Sequence, residues 1–119
     1  MPKPLDSLYG KGTSKAFSEA CGASAVEVET DLGVRVNVEW RDGSLLKVEC
    51  RPEEVNFLTL RSEREGLYSD LCDTLPELFK KRGVETFTAR PATPESEAIL
   101  RKRGDWHQHP KRAGLRWII

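Results

Sequence analysis

Residues Val55 to Trp106, VNFLTLRSEREGLYSDLCDTLPELFKKRGVETFTARPATPESEAILRKRGDW, decide the fold. Val55 to Leu60 is a short apolar run that predicts a strand. The period then changes. Leu67, Leu71, Leu75, Leu78 and Phe79 fall on one face of a helix, predicted over Gly66 to Arg82. Pro76 removes a backbone donor and crowds the preceding turn, so the helix is expected to kink there or to restart with Asp73-Thr74 as a cap. Lys80-Lys81-Arg82-Gly83 supplies a basic last turn and a glycine stop. Val84 to Ala89 reads as the next strand. Thr93-Pro94-Glu95 then opens a second helix with an N-cap, a proline at the first helical position and an acid in the first turn, and Gly104 ends it. A strand, helix and strand in this order favour a right-handed parallel crossover.

The segments on either side have a different character. Upstream, Ala25 to Glu29, Val34 to Trp40 and Leu45 to Cys50 are strand candidates; Val34, Val36, Val38 and Trp40 alternate with polar residues, as one buried and one wet face require. Asp31-Leu32-Gly33 and Arg41-Asp42-Gly43-Ser44 are the turns, the second with an Asp-Gly pair suited to a tight hairpin. Thr13 to Ala20 predicts a short helix with Ala16, Phe17 and Ala20 inward, and Met1 to Gly12 an extended arm. Downstream, Trp106 to His109 and Leu115 to Ile119 read as a closing strand pair. The fold class is α/β (α+β): one domain over residues 1–119, with a mixed, mostly antiparallel sheet around a central parallel strand-helix-strand crossover.

A chain of 119 residues builds one core, and 32% charged residues of balanced sign imply a solvated surface. No apolar run reaches the roughly 20 residues of a membrane helix, and the start lacks a signal core, so a cytoplasmic or intracellular setting is expected. Cys21, Cys50 and Cys72 are odd in number and widely spaced, which fits reduced thiols. The acids gather between Glu27 and Glu54, and the bases Arg101, Lys102, Arg103, Lys111, Arg112 and Arg116 near the C-terminal end. Clustered cations attract phosphates, although Arg101 to Arg103 are also what the end of a helix favours. Nucleic acid is not the expected partner, because tryptophans that stack on bases normally sit in a more basic chain.

Several residues are candidates for chemistry. Glu49, Glu53 and Glu54 lie near strand edges where a general base could stand, though charges on a polar face look the same. Cys50 and Cys72 are possible nucleophiles within apolar patterns that favour inert core thiols. His107-Gln108-His109 places two imidazoles on one side of a strand, but no third ligand accompanies them, and no metal is expected.

The order of elements from Gly33 to Ile119, sharpest over Val55 to Trp106, resembles the GNAT family of N-acetyltransferases. The resemblance implies that the fourth strand splays from the fifth, that the pantetheine arm of acetyl-CoA lies along the exposed strand, and that the pyrophosphate sits on amides at the start of the following helix. Carried onto this chain, it marks Leu60, Arg61, Arg64, Gly66, Leu67 and Tyr68 as cofactor-binding positions. Matching the helix face puts Glu63 where the family has Arg or Gln and Tyr68 where it has a second glycine; matching the strand end instead makes Gly66 an earlier glycine and puts Leu71 out of phase. In the second helix Leu100 occupies the position of the family's acid, a tyrosine, Ser96 that of its alanine and Thr93 that of its asparagine. The expected function is a non-catalytic or weakly catalytic GNAT-fold binding or structural module without a cofactor. Such a module would work with a protein partner or by self-association in a larger assembly such as a phage particle, virion-associated in that case. The alternative is an acetyl-CoA-dependent N-acyltransferase with an atypical pyrophosphate loop.

Overall fold

The computed structural model describes residues 13–119 apart from Leu32, Glu53 and Ala92; the expected arm, Met1 to Gly12, lies outside the described residues. The elements run α1 (Thr13–Cys21), β1 (Ser24–Thr30), β2 (Gly33–Glu39), β3 (Leu45–Cys50), β4 (Val55–Arg61), α2 (Leu67–Lys80), β5 (Thr86–Ala89), α3 (Pro94–Arg103), β6 (His107–Gln108) and β7 (Leu115–Ile118). One sheet holds the strands in the order β1-β2-β3-β4-β5-β7-β6, antiparallel at every step except β4 to β5. This is the mixed, mostly antiparallel sheet that the hairpin-rich first half and the crossover second half require.

Register decides which face is buried. Val34, Val36 and Val38 of β2 stand opposite Cys50, Val48 and Leu46 of β3, and all six are buried. The same core takes in Phe17 of α1, Leu71, Leu75 and Phe79 of α2, and Leu100 of α3. Phe87 of β5 is its hub, with ring centroids 5.2 Å from Phe57, 5.4 Å from Phe79 and 5.6 Å from Trp117. Burying a side chain of this size contributes about 1.5–3 kcal/mol. In β1, an edge strand, valines and glutamates alike are exposed. Val26 and Val28 are exposed, while Glu27 shares a face with Val36 and holds the start of α1, accepting from Ser14 Oγ at 2.8 Å and Ser14 N at 3.2 Å.

The local signals explain most boundaries. Trp40, expected at the end of β2, instead closes the hairpin, its N donating to Ser44 O at 3.0 Å, and Gly43 takes the positive φ of 92°. Helix α2 is one helix with Pro76 inside it, so Asp73-Thr74 caps no second segment. After α2, Gly83 turns the chain at φ 82°, and Val84 N donates to Phe79 O at 3.0 Å, a glycine stop of the kind the sequence predicts. Helix α3 starts on Thr93, whose Oγ1 accepts from Ser96 N at 3.1 Å, and ends on Gly104 at φ 86°. Among the described residues no helix is long and apolar enough to cross a membrane.

Candidate functional site

The sheet opens in the middle of β4. Between β3 and β4 the register slips by one residue: Val48 faces Phe57 and Lys47 faces Thr59, so Leu58 is the extra residue of a bulge. A bulge bends its strand and sharpens the local twist. On the other side of β4, β5 pairs in parallel with Val55, Asn56 and Phe57 and ends at Ala89. Bulge and end of ladder fall together, so β4 swings away from β5 beyond Phe57.

The gap is a cleft of about 130 Å³. Phe57 and Leu58 form its inner end, Thr59 and Leu60 one lip, and Ala89, Arg90 and Pro91 the other. Leu71 and Cys72 of α2 line one side, Ser96 and Leu100 of α3 the other. Tyr68 reaches across this space, and its hydroxyl donates to Ser96 Oγ at 3.3 Å. Thr93 Oγ1 donates to the same Ser96 Oγ at 2.9 Å, so three hydroxyls run in a line from α2 to the cap of α3. The described residues lining the cleft include no carboxylate and no imidazole. Leu100, where the family keeps a hydroxyl, is 4% exposed and purely apolar. Cys72 is buried, and burial pushes its thiol up from the ordinary value.

The six positions marked by the resemblance separate into three places. Leu60 and Tyr68 line the cleft. Gly66 is the N-cap of α2 at φ 82°, with no atom within 4 Å of the site a Cβ would take, while Leu67 behind it is core. The arginines turn the other way, toward the β2–β3 hairpin. Arg61 Nη2 donates to Gly43 O at 3.0 Å, and Arg64 Nη1 meets Asp42 Oδ2 at 3.0 Å with its guanidinium 5.7 Å from the centre of the Trp40 ring. Glu63 N donates to the buried Ser44 Oγ at 2.9 Å, so the whole turn is anchored to the hairpin. Nothing in the sequence marked Ser44, because the contact joins two loops 19 residues apart. Leu58 escaped notice for a related reason: a bulge leaves no periodic signature in an apolar run.

Acetyl-CoA would need a strand edge for its arm, room between the helices and donors for its pyrophosphate. The strand edge is present. The cleft itself holds about 130 Å³, close to the roughly 150 Å³ of an apolar cavity that takes benzene. The start of α2 offers backbone donors, but both arginines are committed to the hairpin, and the exposed Glu63 and Glu65 lie beside it. The cleft therefore matches a small apolar group in size and lining.

The other candidates stand apart from the cleft. Glu49, 3% exposed, is held by Arg35 at 3.4 Å and Arg51 at 2.8 Å on the polar face of the sheet. Glu54 pairs with Arg51 at 3.7 Å and with Arg112; Glu53 lies outside the described residues. Burial pushes the Cys50 thiol up to about 12, with Glu49 adding to the shift. His109 Nδ1 accepts from Lys111 N at 3.0 Å, and among the described residues no cluster of three or more His, Cys, Asp or Glu is placed to hold a metal. At the end of α3, Arg101 meets Glu97 at 3.3 Å and Arg103 meets Asp73 at 2.9 Å, so two of the three helix-terminal bases are paired.

No family model matches the chain, and no curated protein matches it in sequence. Solved structures do. The crystal structure of the anti-CRISPR protein AcrVA5 is similar over 78% of this chain and 97% of that one, at 14% identity and a TM-score of 0.50. The solution NMR structure of "Putative N-Acetyl Transferase YhhK" from E. coli, bound to coenzyme A, is similar over 90% of this chain and 89% of that one, at 13% identity and a TM-score of 0.51. The fold is GNAT-like.

Proposed function

We propose that this chain is a GNAT-fold binding module whose β4–β5 cleft holds a small apolar group, such as the acyl end of a thioester, and transfers it weakly or not at all. The observation that carries this reading is the opening of the sheet at Leu58 into an apolar cleft with no carboxylate or imidazole among its described lining residues. Acyl transfer to an amine needs a base to take the amine proton and an acid to meet the leaving thiolate. Leu100 supplies neither. A neighbour of the same fold is described bound to coenzyme A, the thiol that carries acyl groups as thioesters, which supports a thioester as the class of ligand. Leu60 and Tyr68 are the proposed contacts, with the Gly66 backbone at the start of α2 beyond them; Arg61 and Arg64 would join only by leaving Gly43 and Asp42.

Edge strand β1, with Val26 61% and Val28 53% exposed, supports use of the module through a protein partner or a second copy. A place in a larger assembly such as a phage particle is part of this reading. One observation favours the acyltransferase alternative, the Tyr68 hydroxyl inside the cleft, which could meet a thiolate that Leu100 cannot.

The test combines two measurements. Titrating the ¹⁵N-labelled protein with S-acetyl-N-acetylcysteamine, a short neutral thioester, should shift the amides of Leu58, Ala89 and Leu100. Mass spectrometry of amine acceptors incubated with protein and acetyl-CoA should show acetylation little or no faster than without protein. Shifts confined to other parts of the molecule would remove the cleft from consideration; rapid multiple turnover would replace the module with the transferase.

A further inference from the structure

We propose that the Tyr68 ring sets the length of ligand the cleft accepts, closing it between α2 and α3 against anything longer than a short acyl group; this rests on the reading of the cleft as a ligand site. Tyr68 is the second residue of α2, two positions after Gly66, where the surroundings are open. A ligand with its acyl end at Leu58 and its tail toward the start of α2 would have to pass between those points. The half-buried ring occupies that passage, and its hydroxyl is held by Ser96, which Thr93 holds in turn. Farther along the same pair of helices Asp73 and Arg103 form a second tie at 2.9 Å, so α2 and α3 are joined on both sides of Leu100. Tyr68 and Ser96, joined through their hydroxyls, both line the cleft of about 130 Å³.

The closure is made by an aromatic ring and a hydroxyl-to-hydroxyl contact rather than by an ion pair. It is therefore separate from the acidic character of the Ser62 to Gly66 turn and can be tested with neutral ligands. An aromatic ring is also a costly object to displace. It carries a large apolar surface, and its hydroxyl would need a new partner once it left Ser96.

The experiment compares two neutral thioesters with the same acetyl end, S-acetyl-N-acetylcysteamine and the longer S-acetylpantetheine, by NMR titration of four proteins. Wild type should bind the short ligand at least as tightly as the long one. Tyr68→Ala and Tyr68→Leu, neither of which can reach Ser96, should bind the long ligand at least about tenfold more tightly than wild type does. Because Tyr68 is itself a proposed contact, the readout is the long-to-short affinity ratio within each protein, which should rise at least about tenfold in both variants. Tyr68→Phe keeps the ring and should keep the wild-type preference. Thermal melts identify any variant that fails to fold, and the leucine variant preserves apolar packing where alanine leaves a void. Short-ligand binding in all four proteins with an unchanged long-to-short ratio in Tyr68→Ala and Tyr68→Leu would overturn the proposal. A Tyr68→Phe ratio equal to that of Tyr68→Ala would also overturn it, since the ring would then not be the barrier. If neither thioester shifts the cleft amides in any variant, the reading of the cleft itself fails instead.

Discussion

The two sides of β4 treat their polar groups in opposite ways. Toward the β2–β3 hairpin, Arg61 at the end of β4 and the Ser62 to Gly66 turn are bound down by Gly43, Ser44 and Asp42 through a backbone carbonyl, a buried hydroxyl and an ion pair. Toward β5, the same strand faces a cleft lined by the hydroxyls of Thr59, Tyr68 and Ser96, with an arginine at the lip and mostly apolar walls. The turn that a phosphate-binding fold would leave free is committed, and the cleft that it would fill is left open. Shape and chemistry have separated along a single strand, and each side can be perturbed without touching the other.

The strongest perturbation removes what the two sides share. Phe87 is fully buried and touches Phe57 at the inner end of the cleft, Phe79 of α2 and Trp106 after α3, with the Trp106 centroid at 6.5 Å. Phe87→Ala should cost about 3–5 kcal/mol in urea unfolding, with the midpoint lowered accordingly. A loss under about 1 kcal/mol would mean that the cluster repacks and does not fix the inner end of the cleft.

Ser44→Ala comes next and tests the hairpin side alone. Ser44 is 1% exposed, and its Oγ accepts from Glu63 N, so the alanine leaves that amide without its partner. The expected cost is about 1–2 kcal/mol. Amide shifts should stay with residues 42–44 and 62–66. If Leu58 and Leu100 shift as strongly, the two sides are coupled and the comparison fails.

How far the sequence leads depends on the range of the signal. The strands Leu45–Cys50 and Pro94–Arg103 helix follow from local rules, apolar alternation in the first and a Thr-Pro start with a Gly stop in the second. The parallel step from β4 to β5 follows from the helix between them. By contrast, the place where β4 and β5 part is set by one bulged residue, Leu58, whose neighbours Phe57 and Leu60 look the same to a periodicity argument. In β1, Glu27 accepts from Ser14 across 13 residues while Val26 and Val28 stay exposed on the edge strand, a placement that no local pattern announces. At the site, Leu100 could be read as a missing hydroxyl by counting from Gly104. The destination of the Tyr68 ring could not, because it depends on where α3 lies, and Arg61 and Arg64 pointed to phosphate only until the hairpin beside them was known.

The smallest effect expected is at the outer end of the hairpin, and it is set by pH. The hydrogen bond from Ser44 N at 2.9 Å, the Ser44 hydroxyl and the Arg64 guanidinium hold the Asp42 carboxyl below its ordinary value of 3.8. A carboxylate with a depressed folded pKa stabilises the folded state above its unfolded pKa and loses that contribution as pH falls through the folded value. The tie from Asp42 to Arg64 should therefore be fully present at neutral pH and fade below about pH 4. Asp42→Asn keeps an oxygen for Ser44 N but no charge for Arg64. The melting temperature of wild type should exceed that of Asp42→Asn slightly at neutral pH, and the difference should close in acid and in high salt, which screens an exposed pair. A difference that persisted unchanged at pH 3 would mean that the asparagine disturbs the turn itself. The cleft should not notice the change, since the carboxylate lies on the far side of β4 from Tyr68. Thioester titrations of Asp42→Asn that matched wild type would confine the acid sensitivity to the hairpin, and a shifted thioester affinity would show that releasing Arg64 reaches the start of α2.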